Sequence, residues 1–381
     1  MIPERRCEKR TLARSVPTSV LVQRLFITAM VMYALCTLGR PVSALPVYAR
    51  QFGVPCSTCH TVPPRLNKMG LAFQANYYNW PGPKGHARVE GVAPLSTITT
   101  FSYSHDATAN QDTANFRLLE LQVTSGLGIG PARQGGYFFD VHLATTVDGD
   151  SEGDLENAFF AFPLVGRRGQ LAVLVGQEKP LMFQYDAINS LTDNIAYGLS
   201  EGVGNFALEQ QTPMLSLDYF DNRGKISADG NYVRFAALFQ GQILLNRQGT
   251  IGPGDGYFLH AFHRWGYTTV GAMSYVHKDS NEEGLVGTYA LNNHVFLTSV
   301  AALAHQPGFN STHLSMETEY LPSRRLSLTG RAELIGGGRS EVATVAAINY
   351  YPLSNQYLRL TAESHQRRTD RGFDLTLRVQ Y

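Results

Sequence analysis

The feature that most restricts how this chain can fold is an alternation of period two that runs from Pro94 to the last residue. Segments of about ten residues alternate apolar and polar side chains and are separated by clusters of Gly, Asn, Asp, Pro and Ser. In the last of them Phe373, Leu375, Leu377, Val379 and Tyr381 oppose Asp374, Thr376, Arg378 and Gln380, and Leu326, Leu328, Ala332 and Leu334 oppose Ser327, Thr329, Arg331 and Glu333 in the same way. Successive side chains of a strand point to opposite faces, so the pattern specifies strands with one apolar and one polar face. A soluble sandwich shares that pattern; length and number favour a membrane barrel. About sixteen segments are present, beginning near Pro94, Phe116, Gly136, Leu155, Gln170, Phe206, Gly230, Gly256, Thr268, Leu285, His294, Thr312, Arg325, Glu341, Gln356 and Gly372. A content of 44% hydrophobic and 17% charged residues suits a membrane protein, yet past the first fifty residues no apolar run is long enough for a spanning helix. The expected fold class is therefore all-β: an antiparallel outer-membrane β-barrel of about 16 strands over residues 94–381.

The connectors sharpen the expectation. After even-numbered strands they are tight, as at Asn292-Asn293, Pro322 to Arg324 and Pro352 to Asn355. After odd-numbered strands, Asp106 to Asn115, Lys179 to Asn205 and Gly241 to Asp255 read as longer outer loops, which places both termini in the periplasm. Tyr137, Tyr257, Tyr320, Tyr350, Tyr357 and Tyr381 fall near strand ends, where interfacial girdles lie. The run Asp148 to Glu156 reads as an acidic outer loop that begins like a calcium loop but has Phe159 where a closing glutamate belongs.

The N-terminus has a different character. Arg5, Arg6, Lys9, Arg10, Arg14 and Arg24 precede an apolar stretch from Leu25 to Leu38, followed by Val42-Ser43-Ala44, the pattern of a signal peptide over 1–44 with a mature start near Leu45. Cys7 and Cys36 fall inside it, which leaves only Cys56 and Cys59, too few for a disulfide framework. Cys56-Ser57-Thr58-Cys59-His60 is the C-x-x-C-H pattern of covalent c-type haem attachment. Residues three apart share a face of a helical turn, so both thiols can reach one porphyrin edge while His60 ligates the iron. Zinc would need a second pair of ligands, and a redox pair normally heads a helix in a βαβ unit. Met69, on an amphipathic stretch from Arg65 to Ala75 with Leu66, Gly70 and Phe73, is the candidate distal ligand, followed by His86 and His105. Residues 45–93 are thus expected to form a small helical monohaem cytochrome c domain. The formal charge of +1 offers nucleic acid no electrostatic footprint.

Taken together, Ala49-Arg50-Gln51-Phe52-Gly53, Cys56 to His60, Leu66-Asn67, Gly70, Phe73 and Asn76-Tyr77 resemble the leader of the fused cytochrome-porins, outer-membrane proteins in which a short monohaem domain precedes a porin-like barrel. Val175 to Pro180 similarly resembles a strand end of phosphate-selective porins. The best-known fused members are iron oxidases. The resemblance implies electron transfer through the outer membrane, with Cys56 and Cys59 attaching one haem c and His60 ligating it, between a small external donor such as Fe(II) and a periplasmic electron-transfer protein. Whether the chain is an Fe(II)-oxidising cytochrome or a simple electron carrier stays open. The alternative is a passive porin with a haem-bearing plug.

Overall fold

The computed structural model describes residues 47–62, 65–82, 95–108, 112–128, 135–147, 150–164, 170–178, 212–239, 256–277, 280–337, 340–352, 358–368 and 370–380, with Val89 and Pro180. The expected signal peptide, His86, Tyr357, Tyr381 and the two connectors 179–205, apart from Pro180, and 241–255 lie outside the described residues. Leu45–Tyr381 forms one compact unit.

That unit opens with α1 (Val47–Phe52), a small hairpin of β1 (His60–Val62) and β2 (Arg65–Leu66), and α2 (Lys68–Ala75). The barrel follows: β3 (Leu95–Thr108), β4 (Asp112–Gly128), β5 (Gly136–Val147), β6 (Asp150–Pro163), β7 (Leu171–Glu178), β8 (Thr212–Phe220), β9 (Gly230–Leu238) and β10 (Gly256–Trp265). It continues through β11 (Thr268–His277), β12 (Ser280–Ala290), β13 (Val295–Gln306), β14 (Phe309–Ser323), β15 (Leu326–Gly336), β16 (Glu341–Tyr350), β17 (Leu358–Gln366) and β18 (Asp370–Gln380). Each strand pairs antiparallel with the next, and β18 pairs with β3, so the sheet closes on itself. Closure leaves no unpaired edge, the condition for a sheet to cross hydrocarbon. Each of the sixteen barrel strands takes up one of the sixteen expected segments.

The two faces of the wall are inverted relative to a soluble protein. Leu215, Leu259, Leu285, Leu314, Leu334 and Leu375 point outward and are exposed, while Thr376, Glu333, Ser315 and Asp218 point inward and are buried. Such a wall is stable only where lipid meets its outer face. Tyr257, Tyr320 and Tyr350 are exposed near strand ends, where girdles were expected.

Two expectations fail. The segment read as an outer loop from Asp106 to Asn115 is mostly strand, with only residues 109–111 between β3 and β4. From Asp150 onward the acidic run is also strand, Asp148 and Gly149 lying outside the described residues: Asp150 to Glu156 lies in β6, with Asp150 opposite Val147, Glu152 opposite Thr145 and Asp154 opposite His142. An extended, paired backbone cannot wrap an ion as a calcium loop does. The reason is general: ladder hydrogen bonds use the main chain, so a strand continues through polar residues wherever a neighbour is in place.

Call the near end of the barrel the one where β3 begins and β18 stops. Residues 47–82 pack into that mouth. Tyr77 and Ala75 join the buried apolar side chains of the inner wall, including Leu174, Phe220 and Tyr232. Val62 packs with Phe296, Leu321 and Tyr351, and Leu71 and Ala72 with Ala228. Full burial of one such large side chain contributes about 1.5–3 kcal/mol.

Candidate cofactor site

Cys56–Thr58 forms a single 3₁₀ turn after Pro55, and Cys59 closes it by donating its N–H to the Cys56 carbonyl at 3.1 Å. Residues three apart eclipse in such a turn, which turns both cysteines to one side. Asn67 then pins the motif. Its side-chain oxygen caps α2 by accepting from the N–H of Met69 (2.9 Å) and Gly70 (3.0 Å), its amide nitrogen donates to Ser57 O (3.0 Å), and its backbone N–H donates to Cys59 O (2.8 Å). Gly70 lets the helix lie against the motif, since a Cβ there would collide with the Cys59 carbonyl.

Cys56, Cys59 and His60 line one partly open cavity of about 230 Å³. Its other walls are largely aromatic and apolar: Tyr48, Phe73, Tyr78, Trp80, Leu66 and, from β5, Phe138. Tyr48 and Tyr78 stack at 4.8 Å, and Tyr48 meets Phe73 edge-on at 5.0 Å. Tyr77 and Tyr78 both have positive φ (49° and 61°), a conformation costly for bulky residues. It aims one ring into the cavity and the other at the barrel wall. No disulfide joins the two cysteines, and burial, then the neighbouring Cys56, pushes the Cys59 thiol up to about 11.

Two thiols and an imidazole on one apolar wall are the donor set that a covalently attached porphyrin requires. The cavity is smaller than the roughly 300–1,000 Å³ of most ligand sites, so it would hold part of such a ring and leave the rest outside. Met69 is half-buried on α2 and is not among the residues lining the cavity. His105 lies toward the far end of β3 on the face of Phe101 and Tyr103, the outward one, which removes it as a ligand.

Three anchors hold the segment, and the sequence revealed none of them directly. On β8 and β9, the Tyr77 hydroxyl donates to Asp218 at 2.8 Å, and Asp218 takes a bidentate pair from Arg234 at 2.7 and 2.9 Å. Arg223 lies over the Tyr77 ring at 4.4 Å. Across the mouth, Arg65 ion-pairs with Glu319 of β14 and covers the Phe296 ring at 4.2 Å. The third anchor is a seam of glycines at the β4–β5 turn: a Cβ at Gly126, Gly128 or Gly136 would strike Tyr48, Asn79 or the Tyr77 carbonyl. Glycine within strands where another backbone comes close was the legible signal.

A closed sixteen-stranded wall, apolar outside and polar inside, with a segment seated in its near mouth, defines a porin-type barrel. Comparison with solved structures agrees on the fold. OmpF of Salmonella typhi, solved with daunomycin, superposes with a TM-score of 0.57 at 11% identity over 75% of this chain and 97% of that one. An anion-selective porin from Comamonas acidovorans gives 0.58 at 9% over 75% and 98%, and a loop-deletion mutant of Vibrio cholerae OmpT gives 0.51 at 11% over 75% and 99%. At such identities the likeness is one of fold. No protein-family model matches the chain, and no curated protein matches it by sequence.

Proposed function

We propose that this chain is an outer-membrane electron-transfer protein, a porin-like barrel whose seated segment carries one covalent c-type haem on Cys56 and Cys59 with His60 as proximal ligand. The observation that carries the reading is the convergence of those three side chains on one aromatic-walled cavity at the barrel mouth. Bound there, a haem supplies a one-electron centre. The chain's own residues do the rest. Asn67 fixes the attachment turn, the aromatic wall keeps water from one side of the cavity, and the anchors at Asp218 and Glu319 hold the assembly in the mouth.

The hydrocarbon core is roughly 30 Å thick, so an external donor reaches this mouth only through the lumen, while a periplasmic protein meets it from outside. Among the described residues from β12 to β18, the inner wall buries five carboxylates, Glu282, Glu317, Glu319, Glu333 and Glu363, against Arg331 and Arg359, with Arg65 of the seated segment paired to Glu319, which leaves a modest acidic excess. A small cationic reductant such as Fe(II) fits that wall, with a periplasmic electron-transfer protein as its acceptor. The likeness to porins favours a second reading, a diffusion porin whose haem-bearing segment is a plug; solute flux in vesicles, with and without the haem, separates the two.

Denatured protein extracted with acidified organic solvent is expected to keep its haem, and Cys56→Ala with Cys59→Ala to abolish haem staining while the barrel still assembles. Haem that leaves the wild-type chain under these conditions contradicts the attachment.

A further inference from the structure

A second cluster of donors lies well up the lumen from the cavity, on the three strands that close the barrel. Glu363 and His365 project from the inner face of β17, and Asp374 stands directly opposite Glu363 on β18. One ligand atom from each of these three residues lies within 4.8 Å of the others. From Asp374 to the near end of β18 at Gln380 is about 20 Å of strand. We propose that Glu363, His365 and Asp374 form a binding site for a divalent first-row transition-metal ion, with Asp106 of β3 orienting His365.

Donors at about 2.1 Å from a metal lie roughly 3–4 Å from one another, so small side-chain adjustments bring this trio onto an ion. Imidazole with carboxylates suits the borderline divalent metals better than the alkaline earths, which prefer all-oxygen sites. The second shell is independent support. His365 Nδ1 faces Asp374 at 3.4 Å, while Nε2 faces Asp106 at 3.4 Å on the other side of the ring. With Nδ1 on the metal, Nε2–H donates to Asp106, the carboxylate–histidine–metal relay that fixes tautomer and ring orientation in metal sites. Room for this comes from Gly372, paired with both His365 and Asp106, where a Cβ would strike the imidazole and the Asp106 carboxylate. Two ligands, Glu363 and His365, are nearly fully buried, while the side chains of Asp374 and Asp106 are 17% and 39% exposed, which leaves an approach from the lumen.

An ion held here ties β17 to β18, with β3 in the second shell, and so fastens the seam where the last strand meets the first. The site stands without the haem, and its test is a binding measurement independent of electron transfer. Full-length purified protein is dialysed to equilibrium against Co(II), and bound metal is counted by elemental analysis. One saturable ion per chain is expected in the wild type and in Glu283→Gln, an exposed acid of β12, with loss in His365→Ala and Asp374→Asn. Asp106→Asn keeps all three ligands and is expected to weaken binding by about 10–100-fold, so it decides the matter even where a ligand variant fails to assemble. Absence of saturable binding, or affinity unchanged by Asp106→Asn, overturns the assignment.

Discussion

The barrel wall and the segment in its mouth hold together by different means. In the wall each strand hydrogen-bonds to two neighbours, and an outward leucine such as Leu375 has many equivalents around the belt. In the seated segment the contacts are few and individual: Asn67 makes two hydrogen bonds to the Cys56–Cys59 turn while capping α2, and Tyr77, Arg65 and the glycine seam fasten the segment to the wall. Damage to the wall is therefore shared among many contacts, whereas damage to the segment is local and complete.

The sharpest way to break this contrast is at the seam. Gly136→Val forces a side chain into the Tyr77 carbonyl, a backbone atom that cannot swing aside, so about 1–3 kcal/mol or more of seating energy is expected to be lost. The near mouth then opens: single-channel conductance rises and protease cuts within residues 47–82, while the barrel keeps its heat-modifiable mobility on gels. A segment that stays protected would show that the seam is not an anchor.

On the wall, Leu375→Arg faces lipid near the middle of β18 and is expected to cost about 2–4 kcal/mol in folding titrations. Thr376→Arg, one residue on and lumen-facing, is expected to cost clearly less. Equal costs would argue against the inside-out wall. The smallest effect is expected for Tyr77→Phe. It removes one donor from Asp218, which keeps its two bonds to Arg234 and one from Ser216, so about 1–2 kcal/mol is lost, read as faster proteolysis of the segment with the barrel's unfolding midpoint unchanged.

The same contrast explains what was legible in the sequence. The strands could be read because a buried-or-exposed choice repeats every second residue, as in the last strand, where Phe373 and Leu375 are exposed and Thr376 is buried. The Cys56-x-x-Cys59-His60 pattern could be read because its five residues are contiguous. The acidic run was misassigned because polarity was taken for a loop, although acids at alternate positions fit a strand equally well. His105 could have been excluded from the start, since Phe101 and Tyr103 put that face of β3 on the lipid side. The partners of Arg65 and Tyr77 were invisible because they meet only when the segment seats in the mouth, and Asp106 meets His365 only across the closure of β18 on β3.

The central claim is that electrons pass between an external cation and a haem seated at the barrel mouth, by way of the lumen. It is tested most directly in proteoliposomes with the far end outward and an oxidised acceptor sealed inside. Fe(II) added outside is expected to reduce the acceptor with wild-type protein and not with His60→Ala or the double cysteine variant. Acceptor reduction that persists without His60 and the cysteines, or a wild-type haem that external Fe(II) never reduces, would contradict it.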